Sequence, residues 1–147
     1  MLSQASRLMT MKITVNRVPS EGLAEEFVCD PATLDMSRID VEPQHPLTVS
    51  AFSTLAGREL VVRAQIRCQA RLECGRCLQL FEQPLSTSAI LCYEVQPTDV
   101  VDITEDVRQE LILTYPMSPM CHEGCRGLCP MCGQNLNITR CQHDQAR

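Results

Sequence analysis

Hydrophobic and polar residues alternate most strictly between positions 60 and 74. Leu60, Val62, Ala64, Ile66, Cys68, Ala70, Leu72 and Cys74 fall on one side, and Val61, Arg63, Gln65, Arg67, Gln69, Arg71 and Glu73 on the other. So long a run of period two predicts an antiparallel strand with one face on a core and one in water, bent or bulged along its length. The stretch from Gly75 to Cys77 predicts a tight turn, and residues 78–81 and 85–93 the return strands, interrupted near Pro84. Upstream, residues 11–18 predict a first strand ended by Pro19, Ser20 and Gly22, and residues 47–55 another, closed by a turn at Gly57-Arg58. Between them, Leu23, Phe27 and Val28 are apolar points in an acidic stretch, and residues 31–46 predict loops and a strand fragment. Together these elements predict a curled antiparallel meander or small barrel.

The period changes after Pro97. Ile103, Val107, Leu111 and Thr114 repeat at helical spacing, and Ile112 and Leu113 widen the stripe. Asp102 is placed to cap the helix, with Glu105 as its reciprocal partner, and Pro116 stops it. The predicted helix covers about residues 103–115 and packs on the sheet. From Met117 onward periodicity disappears, and prolines and glycines crowd among cysteines. Such a segment has too little apolar surface to hold a shape by packing alone.

Ten of the 147 residues are cysteine. No run of apolar residues reaches membrane-spanning length, and the first ten residues contain no continuous apolar segment of signal-peptide length. A cytoplasmic protein is expected, in which clustered thiols stay reduced and bind metal. Cys129-Pro130-Met131-Cys132-Gly133 is the strongest unit, because two thiolates two residues apart turn back onto one ion. Cys141 and His143 lie close enough to complete a set of four, and Cys121 and Cys125 form a second pair. Cys74 and Cys77 form a third pair at the predicted hairpin tip. These eight residues supply either two closed sites or one, the latter joining Cys74 and Cys77 to Cys129 and Cys132. Cys68 faces the core side of its strand, Cys29 and Cys92 lack partners, and His122 neighbours a candidate ligand. A thiolate-rich set of four predicts a structural zinc, since a catalytic zinc keeps one position open. The predicted fold class is therefore α+β, mainly β, with the curled sheet, one packed helix and a zinc-bound C-terminal segment.

Composition adds two limits. Thirteen basic against eighteen acidic residues leave a net charge of −5, which argues against non-specific binding of nucleic acid through overall charge. Arg63, Arg67 and Arg71 nevertheless share the polar face of the central strand, about 13 Å apart by strand rise, with Arg76 beyond them. This stripe is a candidate contact for RNA or for a protein partner, though it lacks the exposed aromatic residues of stacking modules. No phosphate-cradling loop, dinucleotide fingerprint or nucleophile elbow is present, and no enzymatic activity or small-molecule substrate is expected.

The chain also resembles the bacterial large ribosomal RNA subunit accumulation protein family. The similarity rests on Cys74-Gly75-Arg76-Cys77-Leu78, on Asp102-Ile103-Thr104, and on Glu110-Leu111-Ile112-Leu113 ending at Pro116. It is strongest from Cys125 through Cys129-Pro130-Met131-Cys132-Gly133 to Asn135-Leu136-Asn137. The resemblance implies a cytoplasmic, non-enzymatic role in making or stabilising large-subunit ribosomal RNA, with that RNA or a pre-ribosomal protein as partner. Many members close with Cys-x-Cys where this chain has Cys141-Gln142-His143, and histidine is a competent substitute donor. A zinc-stabilised module acting indirectly through a protein partner is the alternative. The expected organisation is a flexible lead over residues 1–10, a β-rich core over 11–116, and a metal-binding segment over 117–147 joined to the 74–77 hairpin.

Overall fold

The structure is a computed structural model that describes residues 10–143. All but the last residue of the expected N-terminal lead lies outside the described residues. In chain order the elements are β1 (Lys12–Thr14), β2 (Leu23–Cys29), β3 (Val41–Ala56), β4 (Glu59–Glu73), β5 (Leu80–Glu94), β6 (Val100–Asp102) and α1 (Thr104–Ile112). Short 3-10 turns at Val15–Arg17 and Pro31–Leu34 interrupt the connections.

The alternating run forms β4 as expected. Leu60, Val62, Ala64, Ile66, Ala70 and Leu72 are essentially inaccessible to solvent, and Cys68 is buried beside them. Strand β4 pairs with β3 on one side and β5 on the other, both antiparallel, and β2 extends the sheet beyond β3. The inner face carries the core, against which Met11, Ile13, Val15, Ile103, Val107, Leu111 and Tyr115 are packed. Tyr115 donates its hydroxyl to the carbonyl of Met36 at 2.8 Å, and Arg108 donates to the carbonyls of Leu34 and Asp35. These bonds fasten the helical region to the connection between β2 and β3.

The curled or barrel-like sheet is overturned. The strands form two separate open sheets, β1–β6 and β2–β3–β4–β5, and β2 and β5 each pair on one side only. The two edge strands are unequal and do not pair, β2 being 7 residues long and β5 15. The two short strands β1 and β6 pair with each other, at Lys12↔Asp102 and Thr14↔Val100. Among the described residues the chain is thus a mixed α/β fold of open sheets and one helix, with cysteine clusters able to hold a metal.

Several boundaries also differ from expectation. Strand β3 begins at Val41 and passes through Pro43 and Pro46, with a register shift between Gln44 and Thr48 and a cis peptide before Pro46. Proline is tolerated there because β2 meets β3 only from Leu47 to Ser53, leaving the earlier stretch an edge. Pro84 does not break β5 for the same reason. The helix starts at Thr104, and Asp102 belongs to β6, from which its carboxylate accepts the Thr104 amide at 2.9 Å. Glu105 pairs with Arg108, not with the backbone of residue 102. No helix among the described residues is long and apolar enough to cross a membrane.

A candidate metal centre of two quartets

Strands β4 and β5 end in register at Glu73↔Leu80, so the turn between them is fixed by the sheet. Within it the carbonyl of Cys74 accepts the Leu78 amide at 3.0 Å, and the Cys74 amide donates to the Gln79 carbonyl at 2.9 Å. The turn brings both sulfurs to one side. After α1, Arg38 donates to the Pro116 carbonyl, and Gly75 donates to the Pro119 carbonyl at 2.7 Å. These contacts lay the following segment across the hairpin tip.

The eight candidate ligands fall into two groups. Cys74, Cys77, Cys121 and Cys125 form the inner quartet, and Cys129, Cys132, Cys141 and His143 the outer one; within each, the donor atoms lie within 4.8 Å of one another. Of the arrangements left open by spacing, this is the one with two sets of four, and Cys74 and Cys77 meet Cys121 and Cys125, not Cys129 and Cys132. The inner set is buried at Cys74, Cys77 and Cys125, with Phe81 and Leu128 packed around it. Phe81 also touches the main core, so the cluster is continuous with the sheet. In the outer set Cys129 is buried, whereas Cys132 and His143 are exposed.

The inner geometry suits a four-coordinate ion. The Cys74 and Cys125 sulfurs are 3.7 Å apart, as are those of Cys77 and Cys121. A tetrahedron with metal–sulfur bonds of about 2.3 Å has edges of about 3.8 Å. A disulfide would need about 2.05 Å, and all ten cysteines are free. Sulfur-rich donor sets select soft or borderline cations, zinc among them.

Electrostatics divides the thiols within each quartet. Burial raises the Cys74 thiol, but backbone amides of Cys77, Cys121 and Arg76 aimed at its sulfur outweigh this and bring it down to about 6. The side chain of Asn137 is foremost in lowering Cys125. Burial first, then the neighbouring thiols of Cys125, Cys77 and Cys74, push Cys121 up to about 12. In the outer set the Cys132 amide leads in bringing Cys129 down to about 6, while burial and then Cys129 raise Cys141. Thiolates beside thiols that resist ionisation form a donor set whose mutual repulsion a dication relieves.

The arginines are placed differently from one another. Arg63, Arg67 and Arg71 are exposed on the outer face of β4. Arg71 stands between Glu42 and Glu82, Arg67 between Thr48 and Ser86, and Arg63 between Phe52 and Ile90. The stripe is acidic-flanked at one end and apolar-flanked at the other. Arg76 is set apart at the hairpin tip, donating to the Cys125 carbonyl at 3.2 Å while its own carbonyl accepts the Leu128 amide. Spacing alone missed Asn137, whose side-chain amide lies 3.4 Å from the Cys125 sulfur. His122, noted in the sequence as the neighbour of a candidate ligand, has its Nδ1 3.1 Å from the Cys121 sulfur and stands outside both quartets. Cys68, pushed up to about 11 chiefly by burial, and Cys29 are core thiols far from either quartet in the fold.

Comparison with known proteins adds the following. The model of the family described as large ribosomal RNA subunit accumulation protein YceD matches residues 92–147. Uncharacterized protein Rv2926c of Mycobacterium tuberculosis and uncharacterized protein Mb2951c of Mycobacterium bovis are each 29% identical over an alignment of 127 residues that covers 76% of this chain. The chain spans 61% of the length of these relatives. No solved structure matches.

Proposed function

We propose that the protein is a cytoplasmic, non-enzymatic factor promoting the accumulation or processing of large-subunit ribosomal RNA, its C-terminal segment held in shape by two structural zinc ions. The observation that carries this reading is the family match over residues 92–147, a region that holds Cys121, Cys125, Cys129, Cys132, Cys141 and His143. In this reading residues 11–116 form the β-rich core and residues 117–147 a zinc-binding segment stapled to the 74–77 hairpin. One zinc takes the inner quartet and the other the outer. Arg63, Arg67, Arg71 and Arg76 are the contacts offered to RNA or to a pre-ribosomal protein. The test is depletion of the protein in its host, followed by the ratio of large- to small-subunit ribosomal RNA. A fall in that ratio, restored by the wild-type chain, is expected; an unchanged ratio at complete depletion sinks the proposal.

A second reading has its own support. The net charge of −5 and the carboxylates flanking Arg71 disfavour a phosphate-tracking surface, whereas Phe52 and Ile90, 41% and 68% exposed beside Arg63, suit a protein partner. In this reading the zinc-stabilised chain acts on RNA levels through that partner. A partner retained after nuclease treatment and lost on Arg63→Glu supports it. Salt-dependent binding of isolated large-subunit RNA, weakened when Arg63, Arg67 and Arg71 become Ala, supports direct contact instead.

A further inference from the structure

The two quartets are joined by the loop between Cys132 and Cys141. The outer ligands close this loop, yet its middle lies against the inner quartet. Leu128 and Asn135 form a bridge, the Leu136 amide donates to the Gly127 carbonyl at 2.9 Å, and the Leu136 side chain is buried. Asn137 then makes hydrogen bonds to three residues. Its Oδ1 accepts the Arg126 amide at 2.8 Å, its own amide donates to Asn135 Oδ1 at 2.9 Å, and its Nδ2 donates to Asn135 Oδ1 and to the Cys125 sulfur. An inner-quartet thiolate is therefore stabilised by a donor whose position depends on the outer quartet.

We propose that Asn137 is a positioning residue that couples the two quartets, so that the inner set holds its metal more tightly while the outer set is filled. This rests on the reading of both quartets as metal sites. When the outer ion leaves, nothing covalent or metallic fixes residues 133–140. The loop then withdraws the amide donor from Cys125. The exposed outer quartet, reached first by solvent and chelators, thus governs the lifetime of the buried one.

The test uses the full chain loaded with cobalt(II), whose absorption separates a four-sulfur site from a three-sulfur, one-nitrogen site. Release into excess chelator is followed at both sets of bands. In Asn137→Ala the four-sulfur bands are expected to decay about 10- to 100-fold faster, as for lost partners of metal ligands generally, with the other bands unchanged. In Cys132→Ser/His143→Ala the outer bands vanish and the four-sulfur bands decay at the same increased rate. Adding Asn137→Ala to that variant changes nothing further. A wild-type chain that loads both sites, with four-sulfur decay at the wild-type rate in either variant, overturns the coupling alone. A wild-type chain that takes up no cobalt overturns the metal reading and the coupling with it.

Discussion

Cys74-Gly75-Arg76-Cys77-Leu78-Gln79 and Cys129-Pro130-Met131-Cys132-Gly133-Gln134 make the same turn. In each, the first cysteine's carbonyl accepts the amide four residues on, at 3.0 Å from Leu78 and 2.8 Å from Gly133. In each, the first cysteine's amide donates to the glutamine carbonyl, at 2.9 and 2.8 Å. The residue after the second cysteine takes a left-handed conformation in both, with φ of 63° at Leu78 and 76° at Gly133. The supports differ. The first turn is held open by the paired ends of β4 and β5, so a leucine can occupy a position that suits glycine. The second has no sheet around it and carries the glycine that makes the turn without strain. One turn is imposed by the fold, and the other depends on its own residues and, in the proposed reading, on metal.

The sharpest way to break this comparison is to remove metal. After chelation under reducing conditions, amide protection is expected to collapse across residues 117–143 while the four-stranded sheet keeps its own. The energy at stake is large, since a structural zinc contributes on the order of 10 kcal/mol of binding to its folded segment. Hydrogen exchange reads the outcome, and equal loss in both regions would erase the distinction. Next in size, Cys125→Ser should cost about 1–3 kcal/mol more than Cys132→Ser, because only the former leaves a polar group buried without its partner. Thermal unfolding of the two variants measures the difference. Gly133→Leu should destabilise by about 1–2 kcal/mol through the backbone alone, since a Cβ there meets nothing within 4 Å. The converse, Leu78→Gly, should stabilise by about 0.5–1 kcal/mol, because Leu78 is 55% exposed and gives up little burial. Smallest of all, Arg76→Ala should cost about 0.5–1 kcal/mol for its single bond to the Cys125 carbonyl, seen as a modest loss in denaturant midpoint.

Much of this was legible along the chain, and the rest was hidden for identifiable reasons. The alternation of residues 60–74 located β4 and its buried face because no competing signal interrupted it. Strand β2 escaped notice since Glu25 sits half-buried on the inward side, between Leu23 and Phe27, and spoils the pattern. The first half of β3 was masked by two prolines that an edge tolerates. Asp102 read as a helix cap because its pairing with Lys12 lies some ninety residues away in sequence. The cysteine pairs pointed to donor sets able to hold a metal, but their assignment to quartets depends on where the β4–β5 hairpin points, which no local spacing encodes. The donor from Asn137 is invisible for the same reason.

The pairing of β1 with β6 has a consequence for how the chain reaches this state. Ile103 donates to the Met11 carbonyl at 2.8 Å, and the Met11 amide donates to the Thr104 hydroxyl at the same distance. Met11, Ile13 and Val15 are core residues synthesised early, yet their partners emerge only after all four strands of the larger sheet have been made. During vectorial synthesis the β2–β5 hairpins can form from neighbouring segments while this apolar stretch stays unmatched. Docking of this stretch therefore waits on residues 100–104, and a chain truncated before residue 100 would leave β1 without its pairing strand.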